Sequence, residues 1–263
     1  MKLYNLQGKV EKQIKLPKQF SEELRLDLIK KAVLAIQANK RQRYGASSEA
    51  GMRHSTKISR RRKNYKTGYG RSLARMPRKT VLRRGTQFIW VGAQAPGTVG
   101  GRIAHPPKSE KIWEQKMNKK ERRMAIRSAL TATLQKELLE KRGYKAESLV
   151  VVNDFENLDK TKDVIKVLND LKLDKDVERS FIKRMRSGIG KLRGRRYRRV
   201  KGPLIVVGGD CKLVKSAKNL QGFDICAVNS LNAELLAPGC VPGRLTIWSE
   251  KALEKIEKEK LFI

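Results

Sequence analysis

The stretch KGPLIVVGGD, residues 201–210, decides the fold. Four consecutive apolar residues, Leu204 to Val207, stand between a Gly-Pro entry and a Gly-Gly-Asp exit. A run this short, rich in β-branched residues and bounded by turn formers, reads as a strand buried on both faces; a half-exposed strand would alternate. Three similar runs share the chain: Leu149 to Val152, Asp224 to Val228 and Leu245 to Trp248. Segments of helical period separate them. Buried strands spaced by helices predict an α/β fold with an open, mainly parallel sheet and helices on both faces, a Rossmann-like three-layer arrangement.

The helices follow from spacing and end signals. Ser21 is placed as an N-cap, with Glu22 and Glu23 suiting the positive helix end, and Leu24, Leu28, Ala32, Ala35 and Ile36 give one apolar face. A second helix opens at Asn118 with Glu121 three residues on, buries Ala125, Ala129, Ala132 and Leu138, and stops at Gly143. Thr161 to Leu171 is a third. Asp174 caps a fourth, which carries Val177, Phe181 and Met185 inward. Short helices follow over Leu213, Val214 and Ala217 and through Leu235. Ser249 starts the last, with Ala252, Leu253 and Ile256 on its buried side.

Charge sets the partner class. The 263 residues hold 61 Lys or Arg against 26 Asp or Glu, a net charge of +35. Such a surface repels itself and calls for a polyanion. The excess is local. Residues 40–108 carry 18 bases and one acid, Glu49, and residues 183–201 carry ten bases and no acid. The first stretch has no lasting hydrophobic period, is rich in Gly and Pro, and sets Tyr44, Tyr65, Tyr69, Phe88 and Trp90 among its bases. Loops beyond about 12–15 residues are uncommon in compact domains unless functional or disordered. Bases contact phosphates, rings stack on unpaired bases, and glycine lets backbone approach closely, so the pattern points to RNA. The second stretch, SGIGKLRGRRYRRVKG at 187–202, has too many glycines for a helix and mixes arginines with Tyr197. Bases also crowd the start of the second helix, where the helix dipole disfavours them.

The candidate RNA-contacting residues are therefore Arg41, Arg43, Tyr44, Arg53, Arg60, Arg61, Arg62, Lys63, Lys66, Tyr69, Arg71, Arg75, Arg78, Arg83, Arg84 and Arg102 in the first stretch. The helix adds Lys119, Lys120, Arg122, Arg123 and Arg127. The second stretch adds Lys191, Arg193, Arg195, Arg196, Arg198 and Arg199.

Other chemistries find little support. No run approaches the ~18 apolar residues of a membrane span. Cys211, Cys226 and Cys240 are widely spaced and odd in number, and read as free thiols. His54 and His105 have no ligand-spaced partner, so no metal site and no cofactor is expected. Gly208-Gly209-Asp210 lacks the phosphate-binding pattern and reads as a tight turn. Asp154, Glu156 and Asp159 are the one acidic group that a Mg²⁺-dependent nuclease would use. That enzyme and a generic nucleic-acid binder are the alternatives to a non-catalytic RNA-binding protein.

The ordered motifs carry a resemblance. RQRYG at 41–45, AGMR at 50–53, TGYGRSLARMPR at 67–78, GGRIAHPP at 100–107 and NKKERRMAIRSAL at 118–130 occur in that order. KGPLIVV at 201–207, AKNLQG at 217–222, NAELLAPG at 232–239 and PGRLTIW at 242–248 follow. Together they resemble the fourth universal large-subunit ribosomal protein family, in its short archaeal form. Residues 55–63 and 79–97 depart from the family pattern, and Gln221 stands where the family often has Pro. The resemblance implies one α/β domain over 1–263, with a long extended loop at 45–108 that penetrates rRNA and a second basic loop at 187–202. It implies a structural constituent of the cytoplasmic large subunit that binds its rRNA early in assembly and is not an enzyme. Lys66, Gly68, Gly70, Arg71 and Arg75 would form a loop tip on the wall of the peptide exit tunnel. Implied partners are large-subunit rRNA, neighbouring ribosomal proteins and the nascent peptide, with no membrane and no self-assembly; Mg²⁺ would enter only as ions held by the rRNA.

Overall fold

A computed structural model describes residues 1–56, 58–59 and 61–263. In chain order it places β1 at Lys2–Tyr4, β2 at Val10–Gln13, α1 at Leu26–Asn39, β3 at Arg78–Arg84 and β4 at Gln87–Gly92. Then come α2 (Lys119–Ala132), α3 (Lys136–Lys141), β5 (Leu149–Val151), α4 (Thr161–Asp170) and α5 (Asp174–Phe181). The chain ends with β6 (Lys183–Met185), β7 (Tyr197–Arg199), β8 (Leu204–Val207), α6 (Lys212–Ala217), β9 (Asp224–Ala227), α7 (Ala233–Leu236), β10 (Thr246–Ser249) and α8 (Glu250–Lys258). The residues fall into two compact units, one of Met1–Lys40 with Glu114–Ile263 and one of Arg41–Trp113.

The first unit is built on a six-stranded sheet in the order β2-β1-β5-β10-β8-β9, parallel except where β2 returns antiparallel to β1. The period of two along each apolar run divides its side chains between two cores. Val150, Leu204, Val206 and Trp248 pack on one face with Ile29 and Val33 of α1, Ala125 and Leu130 of α2, and Leu253 and Ile256 of α8. Leu149, Val151, Ile205, Val207 and Ile247 pack on the other with Leu139 of α3, Val164 and Leu168 of α4, Val177 of α5 and Leu213 of α6. This is the three-layer α/β sandwich that the apolar runs predict. Ser249 caps α8 as expected, its Oγ accepting from the Ala252 N–H at 3.1 Å.

Several local expectations are corrected. Ser21 closes a short 3-10 turn, Lys18–Phe20, and α1 starts only at Leu26. Asn118 sits at the cap position of α2 but makes no side-chain cap, and Glu121 instead holds Lys31 of α1 at 3.0 Å. That helix stops at Ala132, where the Thr133 hydroxyl donates back to the Leu130 carbonyl at 2.7 Å; Gly143, at φ 83°, ends the separate α3. Leu139 rather than Leu138 is buried there. Asp174 lies inside the first turn of α5 with Leu173 at the cap, and the helix ends at Phe181, which is exposed rather than inward. Met185 continues the helical spacing in sequence, yet it is an exposed strand residue paired with Tyr197. The hairpin β1–β2 has no counterpart among the elements that the sequence pattern predicts.

The second unit contains a hairpin where no period is legible. β3 and β4 pair antiparallel with a bulge between Thr80 and Leu82. Their two-residue connection places Gly85 at φ 55° with Thr86 outside the left-handed region, the pattern of a type II′ turn. The arms on either side of the hairpin touch backbone to backbone. The Ala46 N–H donates to the Pro107 carbonyl at 2.9 Å, and a Cβ on Gly51 would lie 2.4 Å from the Gly101 carbonyl carbon. The Gln94 amide ties the arms by donating to the Met52 carbonyl at 2.9 Å and the His54 carbonyl at 2.6 Å.

Candidate nucleic-acid interface

The Arg41–Trp113 unit holds 18 bases and two acids, Glu49 and Glu110. Arg41, Arg43, Tyr44, Arg53, Arg61, Arg62, Lys63, Tyr69, Arg71, Arg75, Arg83, Arg84 and Arg102 are exposed, and Lys66 and Arg78 are half-buried. Arg60 lies outside the described residues. The rings do more than wait for bases. Phe88 and Trp90 stack on one face of the hairpin with centroids 5.6 Å apart, and Tyr65 meets Phe88 edge-on at 5.4 Å. Cations sit over them: Arg71 over Trp90 at 5.2 Å, Arg83 over Phe88 at 5.5 Å and Lys66 over Phe88 at 5.6 Å. Each such contact contributes about 0.5–1 kcal/mol at an exposed site and holds its cation in place. The rings thus fix the positions of the bases.

Gly68, Gly70 and Arg75 line a cavity of about 350 Å³ together with Ile58, Tyr69 and Met76. Lys66 and Gly70 both take positive φ, at 59° and 75°, so the backbone here turns through a conformation that suits glycine. At the other end of the unit is a cluster that sequence reading misses. Arg41 lies 3.7 Å above the Trp113 ring, Tyr44 stacks on it at 5.6 Å, and Lys111 approaches to 4.4 Å. Trp113 gives no signal of its own because it lies five residues beyond the basic stretch, alone among charged neighbours.

In the first unit, Lys119, Lys120, Arg122 and Arg123 of α2 are exposed. Arg127 is not free for phosphate: its Nε donates to Glu22 Oε2 at 2.5 Å and its guanidinium also reaches the Phe262 carbonyl at 2.6 Å. Lys191, Arg193, Arg195, Arg196, Arg198 and Arg199 all lie exposed on or beside the hairpin of β6 and β7. That hairpin opposes Lys183 to Arg199 and Arg184 to Arg198, and like charges directly across a strand pair are destabilising.

The acidic group of the nuclease alternative is not assembled. Glu156 is buried and accepts from the Gly208 N–H at 2.9 Å and the Ser249 hydroxyl at 2.5 Å. Asp159 is paired with Lys212 at 3.0 Å on the surface. Among the described residues no group of three His, Cys, Asp or Glu could hold a metal ion. Glu156 occupies the C-terminal ends of β5, β8 and β10, the crevice where doubly wound folds usually place ligands. The Gly208-Gly209 turn gives its first N–H to that carboxylate.

The chain is similar to known proteins over nearly its whole length. The model of the ribosomal protein L4/L1 family matches residues 14–259. The large ribosomal subunit protein uL4 of Nanoarchaeum equitans is 49% identical over 263 residues, covering 99% of this chain and 98% of its own length. That of Archaeoglobus fulgidus is 46% identical over 257 residues, covering 96% of each chain, and that of Methanosphaera stadtmanae is 40% identical over 260, covering 97% and 95%. Near-complete coverage at these identities, over an α/β unit that matches the family's implied fold, means that the chain belongs to the ribosomal protein L4/L1 family.

Proposed function

We propose that this chain is a non-catalytic constituent of the large ribosomal subunit in the cytoplasm, binding large-subunit rRNA early in assembly. The α/β unit docks on rRNA through α2 and the β6–β7 hairpin. The Arg41–Trp113 unit penetrates the RNA and brings Lys66, Gly68, Gly70, Arg71 and Arg75 to the wall of the peptide exit tunnel, beside the nascent chain and neighbouring ribosomal proteins. One observation carries the reading: a unit of 73 residues bears 18 bases against two acids, with the bases held in place over stacked rings. Such a surface gains its affinity by releasing counterions from phosphates. Ring-anchored arginines set at fixed positions suit folded RNA better than a uniform duplex.

The test is filter binding to large-subunit rRNA in rising KCl, with the whole chain and with residues 45–101 removed. Each phosphate contact contributes roughly 0.7–0.9 to the slope of log K against log salt. The deletion removes 11 of the candidate bases and should lower that slope by nearly half. An unchanged slope would show that the main RNA contact lies elsewhere.

A further inference from the structure

The two arms at the root of the Arg41–Trp113 unit run antiparallel and in register. Inside the first unit, the Gln115 N–H donates to Asn39 Oδ1 at 2.8 Å. Two residues on along one arm and two back along the other, Arg41 lies 3.7 Å over the Trp113 ring. Four on and four back, a Cβ on Gly45 would lie 2.5 Å from the Ser109 nitrogen. Ala46 then bonds to Pro107 and Gly51 meets Gly101, with the second arm using one extra residue at each step. A slip of register by one residue would drive a side chain into the facing backbone at Gly45 and Gly51.

Neither arm forms a strand over 41–51 or 101–113, so no regular ladder of hydrogen bonds keeps this register. Charge opposes it. Arg41 and Arg43 lie on one arm and Arg102, Lys108 and Lys111 on the other, against the acids Glu49 and Glu110. At the root the arms are joined by Trp113. Tyr44 stacks on its indole with 15° between the planes, and the Tyr44 hydroxyl accepts from Arg41 Nη2 at 3.2 Å. Lys111 comes within 4.4 Å of the same ring. The negative face of an indole attracts cations that would otherwise repel each other across the root. Trp113 Nε1 is out of solvent with no hydrogen-bond partner among the described residues, so it is the flat ring that matters here.

We propose that Trp113 is a positioning residue: it clasps Arg41 and Tyr44, closes the root of the basic unit in the free chain, and so sets the register in which both arms present their bases. Each residue ordered only on binding subtracts from affinity, and a root closed beforehand removes part of that cost. The clasp stands on contacts within the protein; its consequence for affinity rests on the rRNA-binding reading. Trp113 acts through Arg41 and Tyr44 and needs no contact of its own with RNA.

The experiment compares the full chain with Trp113→Ala, Trp113→Phe and Arg41→Lys. Hydrogen exchange of the RNA-free proteins is followed by mass spectrometry over residues 42–50 and 105–113, with the β3–β4 hairpin at 78–92 as internal reference. Affinity for large-subunit rRNA is measured from low to high KCl. In Trp113→Ala the two arm segments should exchange several-fold faster while the hairpin is unchanged. Affinity should fall roughly 5–30-fold at every salt concentration, the span between an exposed and a desolvated cation–π contact. The salt slope should stay the same, because no phosphate contact is lost. Trp113→Phe keeps a ring and gives up no hydrogen bond, so it should restore most of both readings. Arg41→Lys keeps the charge but not the flat guanidinium, and should fall between wild type and Trp113→Ala. Unchanged exchange of the arm segments in Trp113→Ala overturns the clasp, and so does a Trp113→Phe variant as impaired as Trp113→Ala. Faster exchange with unchanged affinity, or a slope lowered by about 0.7–0.9, overturns the positioning role. Absence of salt-dependent binding by the unaltered chain would instead overturn the rRNA reading, while the exchange result still decides the clasp. Should Trp113→Ala fold poorly by circular dichroism, Arg41→Lys decides by the same two readings, and its equality with wild type in both overturns the proposal.

Discussion

Replacing Arg244 by Met tests how the α/β unit is held together behind its basic surface. Arg244 is fully buried. Its guanidinium donates to the carbonyls of Gly202 at 2.9 Å, Leu235 at 3.0 Å and Pro203 at 3.2 Å, and it pairs with Asp224 at 2.7 Å. Methionine fills a similar apolar volume but takes one donor from each of the four acceptors. Breaking a buried pair costs about 3–5 kcal/mol when the partner is left behind. Lys201 remains on Asp224 at 3.1 Å, the Tyr144 hydroxyl on the Gly202 carbonyl at 3.1 Å and the Asp224 N–H on the Pro203 carbonyl at 3.4 Å, and these soften that loss, whereas the Leu235 carbonyl loses its side-chain donor and adds to it. We expect about 4 kcal/mol in all. For a unit of this size one kcal/mol moves Tm by about 2–4 °C, so the melting temperature at pH 7, followed by circular dichroism, should fall by roughly 8–16 °C. The pH dependence gives an independent reading. Burial opposes ionisation of Asp224, but Arg244 and Lys201 outweigh it and hold its carboxyl below the ordinary value. A depressed folded pKa contributes stability that is present above the ordinary carboxylate range and lost as pH falls through the folded value. The gap in Tm between wild type and variant should therefore narrow as pH drops below about 4. A Tm loss under about 3 °C at pH 7, or a gap that widens on acidification, would refute the reasoning.

Three further outcomes are expected. Glu156→Ala leaves the Gly208 N–H and the Ser249 hydroxyl without their acceptor and should cost about 2–4 kcal/mol in urea unfolding, with Glu156→Gln costing less than half as much; equal losses would show that charge rather than hydrogen bonding dominates. Gly51→Ala and Gly97→Ala impose the same left-handed strain, at φ 75° and 82°, of about 1–2 kcal/mol, but only at Gly51 does the new Cβ strike backbone. Trypsin should cut the Arg41–Trp113 unit of Gly51→Ala several-fold faster than that of Gly97→Ala, and matching rates would mean the arms are not closely paired. Burial pushes the Cys226 thiol up to about 12, so iodoacetamide at pH 8 should label it only on unfolding, as read by mass spectrometry; rapid labelling of the folded chain would contradict its burial.

The layers of the α/β unit are legible because its strands are buried on both faces and therefore read as unbroken apolar runs. Leu204–Val207 matches to the residue, and Ser249 caps α8 as its position demands. The hairpin β1–β2 is illegible for the opposite reason: Val10–Gln13 is an edge strand, wholly exposed, with no pattern for burial to impose. β3–β4 is hidden by arginines that face solvent and by a bulge that breaks alternation at Val81. Ser21 and Asn118 are good caps by type, but α1 begins after Ser21 and Asn118 makes no cap bond. The basic extension and the 183–201 stretch are visible as charge, but the meeting of that second stretch with Lys40 and Arg142 at one cleft is not, because the three are far apart in sequence and only the fold brings them together. Arg244 is equally opaque, since nothing in PGRLTIW marks its charge as the one to be buried.

The carboxylate of Glu156 has a consequence for when and where this protein can be folded. Many α/β proteins of this design owe part of their stability to a nucleotide or substrate held at the strand ends, so their folded fraction follows the concentration of that ligand. Here the place is filled by a side chain of the same polypeptide, joined to Gly208 and Ser249. The bonds of Glu156 at that crevice thus come from the polypeptide itself, and their contribution to stability is the same whatever the concentration of dissolved metabolites. A component built once into a long-lived particle gains from such indifference, because its shape must not vary with the cell's nutritional state.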